Sequence, residues 1–153
     1  MFFDFVRERL AREIAAGELR PVTDLEAPID AINAAYPMGF NRIAWDEIRT
    51  KKQLILPRAS EAQEIEDRLS STRTEVASWF EEYGIDARQE VVWFGDADEE
   101  GLSMSVEALI RWYPVLFSFP QHSYVVPSDA SWCFNYLMEG ELYLGVAPHA
   151  RPT

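Results

Sequence analysis

The chain has 153 residues, 48% of them hydrophobic and 13% aromatic, which is enough apolar material for the core of one domain. Its 26 acidic and 14 basic residues give a formal net charge of −12, and so negative a surface argues against nucleic acid as a partner. No apolar run approaches the ~20 residues of a membrane span, and the single cysteine, Cys133, excludes an internal disulfide. We expect a cytoplasmic protein with one globular domain over residues 1–146 and a flexible tail over 147–153.

Helical spacing dominates the first half of the chain. Apolar residues recur every three or four positions from 2 to 16, which predicts an amphipathic helix. Residues 19–27 are interpreted as a connector, after which Pro28 suits the first turn of a short helix. Residues 41–57 fit a strand or a helix equally well, and we favour a short helix that begins at Trp45.

The longest predicted helix covers residues 60–83. Ser60 and Gln63 have the spacing of a capping box, in which each side chain bonds the backbone N–H of the other residue. Gly84 is suited to end the helix, because glycine accepts the positive φ that this position often requires. We therefore predict one continuous helix with a buried apolar stripe.

Strands are predicted mainly in the second half. Runs of β-branched and aromatic residues indicate strands at 89–94 and 124–126. Between them, residues 106–113 fit a helix that Pro114 is expected to limit, because proline disfavours helical geometry in the residue before it. Helices that come first and strands that come last favour an α+β fold, with the N-terminal helices packed on one face of a small antiparallel sheet.

The sheet is expected to end in a C-terminal β-hairpin over residues 131–145. A three-residue turn at Met138, Glu139 and Gly140 brings six apolar residues to one face, whereas a two-residue turn at Glu139 and Gly140 mixes the faces. We therefore predict the three-residue turn. The residues of the apolar face are Trp132, Phe134, Tyr136, Leu142, Leu144 and Val146.

Carboxylates in the segment 96–107 are spaced like calcium ligands. Asp96, Asp98, Glu100 and Glu107 occupy positions 1, 3, 5 and 12 of an EF-hand loop. A strand is predicted before this segment, where an EF-hand has its first helix, and this difference weakens the match. Calcium binding is therefore kept only as the alternative function. The same residues also fit an acidic loop whose tip can engage lysine or arginine of a partner.

Catalysis and cofactor binding lack a matching pattern in the sequence. Cys133 lies within a predicted strand of aromatic residues, where a packed and inert thiol is expected. His122 and His149 form no recognisable nucleophile or zinc arrangement with it, and no glycine-rich phosphate loop is present. We therefore expect a protein that is not an enzyme and uses no cofactor.

The closing segment, YVVPSDASWCFNYLMEGELYLG from Tyr124 to Gly145, carries the one family resemblance of the chain. It resembles the C-terminal end of small acidic bacterial proteins associated with polymorphic toxins, including immunity proteins of contact-dependent growth inhibition systems. The resemblance implies a cytoplasmic immunity protein that binds one cognate toxin domain and blocks it. It implies no particular binding residue.

The net charge agrees with such a role. A toxin domain that acts on RNA or DNA holds phosphates with lysine and arginine, and clustered carboxylates can occupy those side chains and accelerate encounter. The expected partner is therefore a basic, nuclease-type toxin domain. The candidate contact residues are the acidic groups Asp96, Asp98, Glu99 and Glu100, with Glu81 and Glu82 as second choices.

Overall fold

A seven-stranded antiparallel sheet lies at the centre of the computed structural model, which describes residues 2–40, 42–96, 98–119 and 121–148. The helices are α1 (Phe2–Arg9), α2 (Ala11–Ala15), α3 (Glu26–Ala35), α4 (Ala62–Ser70), α5 (Arg73–Glu82) and α6 (Val106–Leu116), with a 3-10 helix at Trp45–Glu47. The strands are β1 (Arg20–Val22), β2 (Lys51–Ile55), β3 (Glu90–Gly95), β4 (Gly101–Ser105), β5 (Ser123–Val126), β6 (Trp132–Leu137) and β7 (Glu141–Val146), in the order β1-β4-β3-β5-β6-β7-β2. The fold is α+β, as predicted, and none of the described helices is long and apolar enough to cross a membrane.

The C-terminal hairpin is confirmed in its predicted register. Strands β6 and β7 pair Trp132 with Val146 and Tyr136 with Leu142, which leaves a three-residue turn between them. Gly140 in that turn has a φ of +101°, a conformation that other residues rarely adopt. The predicted apolar face therefore points to one side of the sheet as a unit.

Both faces of the sheet are buried. Helices α1, α2, α4, α5 and α6 cover the side that carries the apolar face of the hairpin, which we call the helix face. The opposite side, which we call the second face, carries the mixed residues of the hairpin. It is covered by α3, the 3-10 helix and the chain around them. The prediction placed helices on one face, and the structure adds this second apolar cluster on the other.

A buried amide and two aromatic rings hold the second face together. Asn135 donates its Nδ2 to the carbonyl oxygen of Ser123 at 2.7 Å and accepts the indole N–H of Trp45 at its Oδ1, also at 2.7 Å. The ring of Trp45 stacks on that of Tyr143, with centroids 4.8 Å apart. Trp45 also lies on Gly145, where a Cβ atom would come within 2.3 Å of its Cζ3 atom. Residue 145 therefore has to be glycine for the indole to reach the sheet.

The two edge strands and the inner strand β4 were not predicted. The connector expected over 19–27 contains β1, and the short helix expected from Trp45 is a single 3-10 turn followed by β2. Pro21 is compatible with β1, because an edge strand leaves one side of its backbone without a ladder partner. The edge strands carry proline (β1, RPV) and lysine (β2, KKQLI) and lack the runs of β-branched and aromatic residues that indicated the inner strands.

The helix predicted over 60–83 is interrupted. It consists of α4 and α5, and the capping-box prediction is wrong, because Glu61 stands at the N-cap position and makes no side-chain cap. The break falls near Thr72, whose hydroxyl donates to the carbonyl oxygen of Leu69 at 2.6 Å and lies 2.6 Å from the Tyr113 hydroxyl. Such a side-chain bond to the backbone competes with continued helix.

The proline in α6 does not end the helix, contrary to the prediction. Helix α6 continues past Pro114 to Leu116. Proline cannot donate to the carbonyl of residue 110, but the Nε of Arg73 donates to that oxygen at 3.2 Å and its Nη2 donates to the carbonyl of Arg111 at 2.9 Å. A side chain from α5 therefore replaces the backbone donor that proline lacks.

The predicted tail over 147–153 is described only at its beginning. Ala147 is buried in the cluster of the second face, and its N–H donates to the carbonyl of Ser131 at 3.0 Å. Residues 149–153 lie outside the described residues.

We expect Gly145→Ala to lower the free energy of unfolding by about 1–3 kcal/mol, the usual cost of overpacking a core. The added methyl group collides with Trp45, so either the indole or β7 has to move. Urea denaturation measures the change. Gly39→Ala is the matched control, because the nearest neighbour of its Cβ atom is at an ordinary 3.6 Å. Equal stability of the two variants would contradict this account of the Trp45 position.

Candidate partner-binding site

Four of the predicted contact residues lie in the connection between β3 and β4, and we call the described part of it, residues 96 and 98–100, the acidic turn. The N–H of Asp96 donates to the carbonyl of His122 at 3.0 Å, which ties the start of the turn to the residue before β5. Asp96 and Glu99 are exposed, whereas Asp98 and Glu100 are half-buried. The turn therefore presents carboxylates at one end of the sheet.

Two of these carboxylates line a cleft between the acidic turn and α3. The cleft, which we call the acidic cleft, has a volume of about 210 Å³. Its walls are mostly apolar, and its polar side chains are those of Asp96, Asp98, Asn33 and the Tyr124 phenol. The lining residues are Ile29, Ile32, Asn33, Met38, Phe94, Gly95, Asp96, Asp98 and Tyr124.

Buried groups below the acidic cleft position Asp98. The side chain of Gln121 is buried and donates its Nε2 to the Oδ2 of Asp98 at 3.2 Å. Gly95 leaves the space for that amide, since a Cβ atom there would lie 1.8 Å from the Gln121 Nε2. Tyr124 packs on Phe94 with ring centroids 5.5 Å apart. The pKa of Tyr124 is raised mainly by burial, with smaller contributions from Cys133 and Asp96.

The other four predicted contact residues do not line the acidic cleft. Glu100 forms an ion pair with Arg7 of α1 at 3.6 Å. Glu81 and Glu82 are exposed at the end of α5, on the helix face, and Glu82 pairs with Lys52. The six carboxylates therefore do not form one surface, and the acidic cleft gathers Asp96 and Asp98.

A wider depression lies on the same face of the sheet as the acidic cleft. Its volume is about 620 Å³, and we call it the wide depression. It contains the ion pair between Arg42 and Glu139 at 3.0 Å, and the Tyr143 hydroxyl donates to Glu141 at 2.5 Å. The lining residues are Gly39, Phe40, Arg42, Ile43, Ala44, Trp45, Asp46, His122, Leu137, Glu139, Glu141 and Tyr143.

The segment between the two hollows was missed by the sequence analysis. Met38 lines the acidic cleft, Phe40 lines the wide depression, and Met38 pairs with Ile43 in an isolated antiparallel bridge. The N–H of Gly39 donates to the carbonyl of Arg42 at 2.7 Å, which closes a tight turn. We call residues 38–40 and 42–43 the aromatic turn, because the Phe40 side chain is 93% exposed there. A phenylalanine directly after a turn glycine was the available signal.

The carboxylates of the proposed calcium loop are not brought together. Residues 101–105 of that loop form β4, so Asp96 and Glu107 lie beyond opposite ends of a strand. Glu107 is in the first turn of α6, within 3.9 Å of Arg111. Within the part of the chain that the structure describes, there is no group of three or more His, Cys, Asp or Glu that could hold a metal ion.

The cysteine and the described histidine are engaged in the fold. Cys133 is fully buried in β6, and burial raises the pKa of its thiol, which opposes formation of the reactive thiolate. The Nδ1 of His122 accepts the N–H of Met138 at 3.2 Å, which fixes the hairpin turn to the residue before β5. His149 lies outside the described residues.

No protein-family model matches the chain, and no curated protein matches it either. The resemblance of the C-terminal segment to immunity proteins therefore stays a prediction. The proposal made below is based on the carboxylates and the two hollows of the second face.

We expect calcium to leave the protein unchanged up to millimolar concentration, because Asp96 and Glu107 are held apart by β4. Isothermal calorimetry should give no saturable heat, and the thermal midpoint should not move. A saturable heat that disappears in Glu107→Gln would instead establish the calcium function.

Proposed function

We propose that the protein is a non-enzymatic, cytoplasmic immunity protein that binds a basic, nuclease-type bacterial toxin domain and neutralises it. One observation carries the proposal. In a protein of net charge −12, two carboxylates line a cleft together with two exposed apolar side chains. Those side chains are Ile29, 42% exposed, and Met38, 41% exposed.

The acidic cleft suits the side chain of a lysine or arginine from a partner. The aliphatic stem of such a side chain packs on apolar surface, which Ile29 and Met38 offer. Its charged head then reaches Asp96 and Asp98, where charge-assisted hydrogen bonds are about twice as strong as neutral ones. A nuclease domain uses the same basic side chains to hold phosphates.

Several carboxylates elsewhere on the surface are engaged within the protein. Ion pairs join Arg9 to Glu66 at 2.9 Å and Arg68 to Glu64 at 3.2 Å. Within the described residues, Asp96 and Glu99 have no ion-pair partner, so their charge is available to a partner protein. The net charge of −12 adds long-range attraction to a basic surface and raises the rate of encounter.

The protein encoded by the neighbouring gene is the first partner to test. We expect the chain to bind that protein and to protect cells that express it. Surface plasmon resonance at 50 and 500 mM salt should show slower association at high salt, because exposed charges are screened. Absence of both binding and protection would refute the proposed function.

We expect the double variant Asp96→Asn/Asp98→Asn to weaken binding by about tenfold, mainly through the association rate, as rim charges do. The asparagines keep the shape of the side chains and remove two charges. Glu61→Gln/Glu75→Gln is the matched control, since it removes two exposed charges from the helices of the helix face and neither residue is a candidate contact. If the control weakens binding as much, the total charge matters and the acidic cleft is not the contact.

A further inference from the structure

The large apolar side chains that the described residues expose are concentrated around the second face. Ile29 and Met38 line the acidic cleft, and Phe40 lines the wide depression. Ile55 pairs with Glu141 at the edge of the sheet, and the backbone of Met138 bonds to His122, a residue of the wide depression. These five are the large hydrophobic side chains exposed within residues 4–40, 42–96, 98–119 and 121–148, where side-chain burial is described.

Phe40 stands out from this group by its position and its exposure. It is 93% exposed, and the aromatic turn that carries it separates two hollows lined by carboxylates. Asp96 and Asp98 lie on one side, and the other side is lined by Asp46, Glu141 and the ion pair of Arg42 with Glu139. An exposed aromatic ring between charged groups matches the anatomy of a protein interface, where a few aromatic anchors at the centre contribute most of the affinity.

The aromatic turn is supported from below. The bridge between Met38 and Ile43 closes it, and Ile43 is buried in the cluster of the second face. Trp45, two residues further on, is fixed by Asn135 and Gly145. These contacts hold both ends of the aromatic turn on the second face.

We propose that Phe40 is the apolar anchor of the partner-binding surface. In this proposal, which rests on the proposed function, Phe40 enters an apolar pocket of the basic partner. Asp96 and Asp98 of one hollow and Asp46 and Glu141 of the other engage lysine and arginine side chains that surround that pocket. The partner surface is thus an apolar pocket with a basic rim.

The charge around Phe40 favours a basic partner protein over a second copy of the chain. A symmetric contact through the aromatic turn would bring the two sets of Asp96, Asp98, Asp46 and Glu141 close together. Like charges that face each other across an interface oppose association. A basic surface reverses the sign of that interaction, and the net charge of −12 favours it at long range as well.

The test compares apolar variants in binding to the protein encoded by the neighbouring gene. Phe40→Ala should raise Kd by about thirtyfold, as expected of an aromatic anchor, mainly through faster dissociation. Its salt dependence should match that of the unaltered protein, because no charge is removed. Phe40→Leu should recover part of the loss. Ile55→Ala, which removes a side chain 70% exposed that lines neither hollow, should change Kd by less than about threefold.

The outcomes separate this inference from the proposed function. Strong binding by the unaltered protein together with an unchanged Kd for Phe40→Ala would overturn the anchor and leave the immunity function in place. An equal loss in Ile55→Ala would also overturn it. Sedimentation velocity tests whether a second copy of the chain contacts Phe40. A dimer that becomes a monomer in Phe40→Ala would show that it does and would overturn the proposal of a basic partner. Failure of the unaltered protein to bind would overturn both proposals. Equal urea denaturation midpoints for all variants would show that the differences in Kd do not come from misfolding.

Discussion

The amide of Asn135 is the polar group on which the second face depends. It is fully buried in a central strand, where an unpaired amide would cost more than a hydrogen bond contributes. Both of its bonds are made, one to the Ser123 carbonyl and one from the Trp45 indole. The second bond fixes the chain after α3 on the sheet. The aromatic turn ends two residues before Trp45, so this buried hydrogen bond holds the C-terminal side of the turn on the second face.

The two faces of the sheet have different chemistry. The helix face holds the larger apolar cluster, in which Phe80 of α5 contacts Trp132 and Phe134 edge to face at 5.3 Å. The second face has a thinner cover, and its rim exposes apolar side chains beside carboxylates. We assign stability mainly to the helix face and propose the second face for recognition, since exposed apolar groups beside charge are typical of binding surfaces.

Sequence patterns predicted the features that local chemistry controls. The hairpin register followed from the sorting of side chains around Gly140, because a shift by one residue would exchange the faces. The patterns failed where distant residues intervene. Arg73 supplies the donor that Pro114 lacks, and Thr72 meets Tyr113 across 41 positions of the chain. Neither partner can be identified from the residues next to the proline or the threonine.

The sequence by itself determined the α+β class, the hairpin register, the excess of negative charge and the acidic turn that carries part of it. These properties depend on composition and on neighbours in the chain. Only the tertiary structure decided which carboxylates share a surface. Glu100 forms an ion pair with Arg7, and Glu82 forms one with Lys52. Asp98 accepts a hydrogen bond from Gln121 and lines the cleft beside α3. Long-range packing makes these choices, because the sheet brings α3 and the β3–β4 connection together from positions some 65 residues apart.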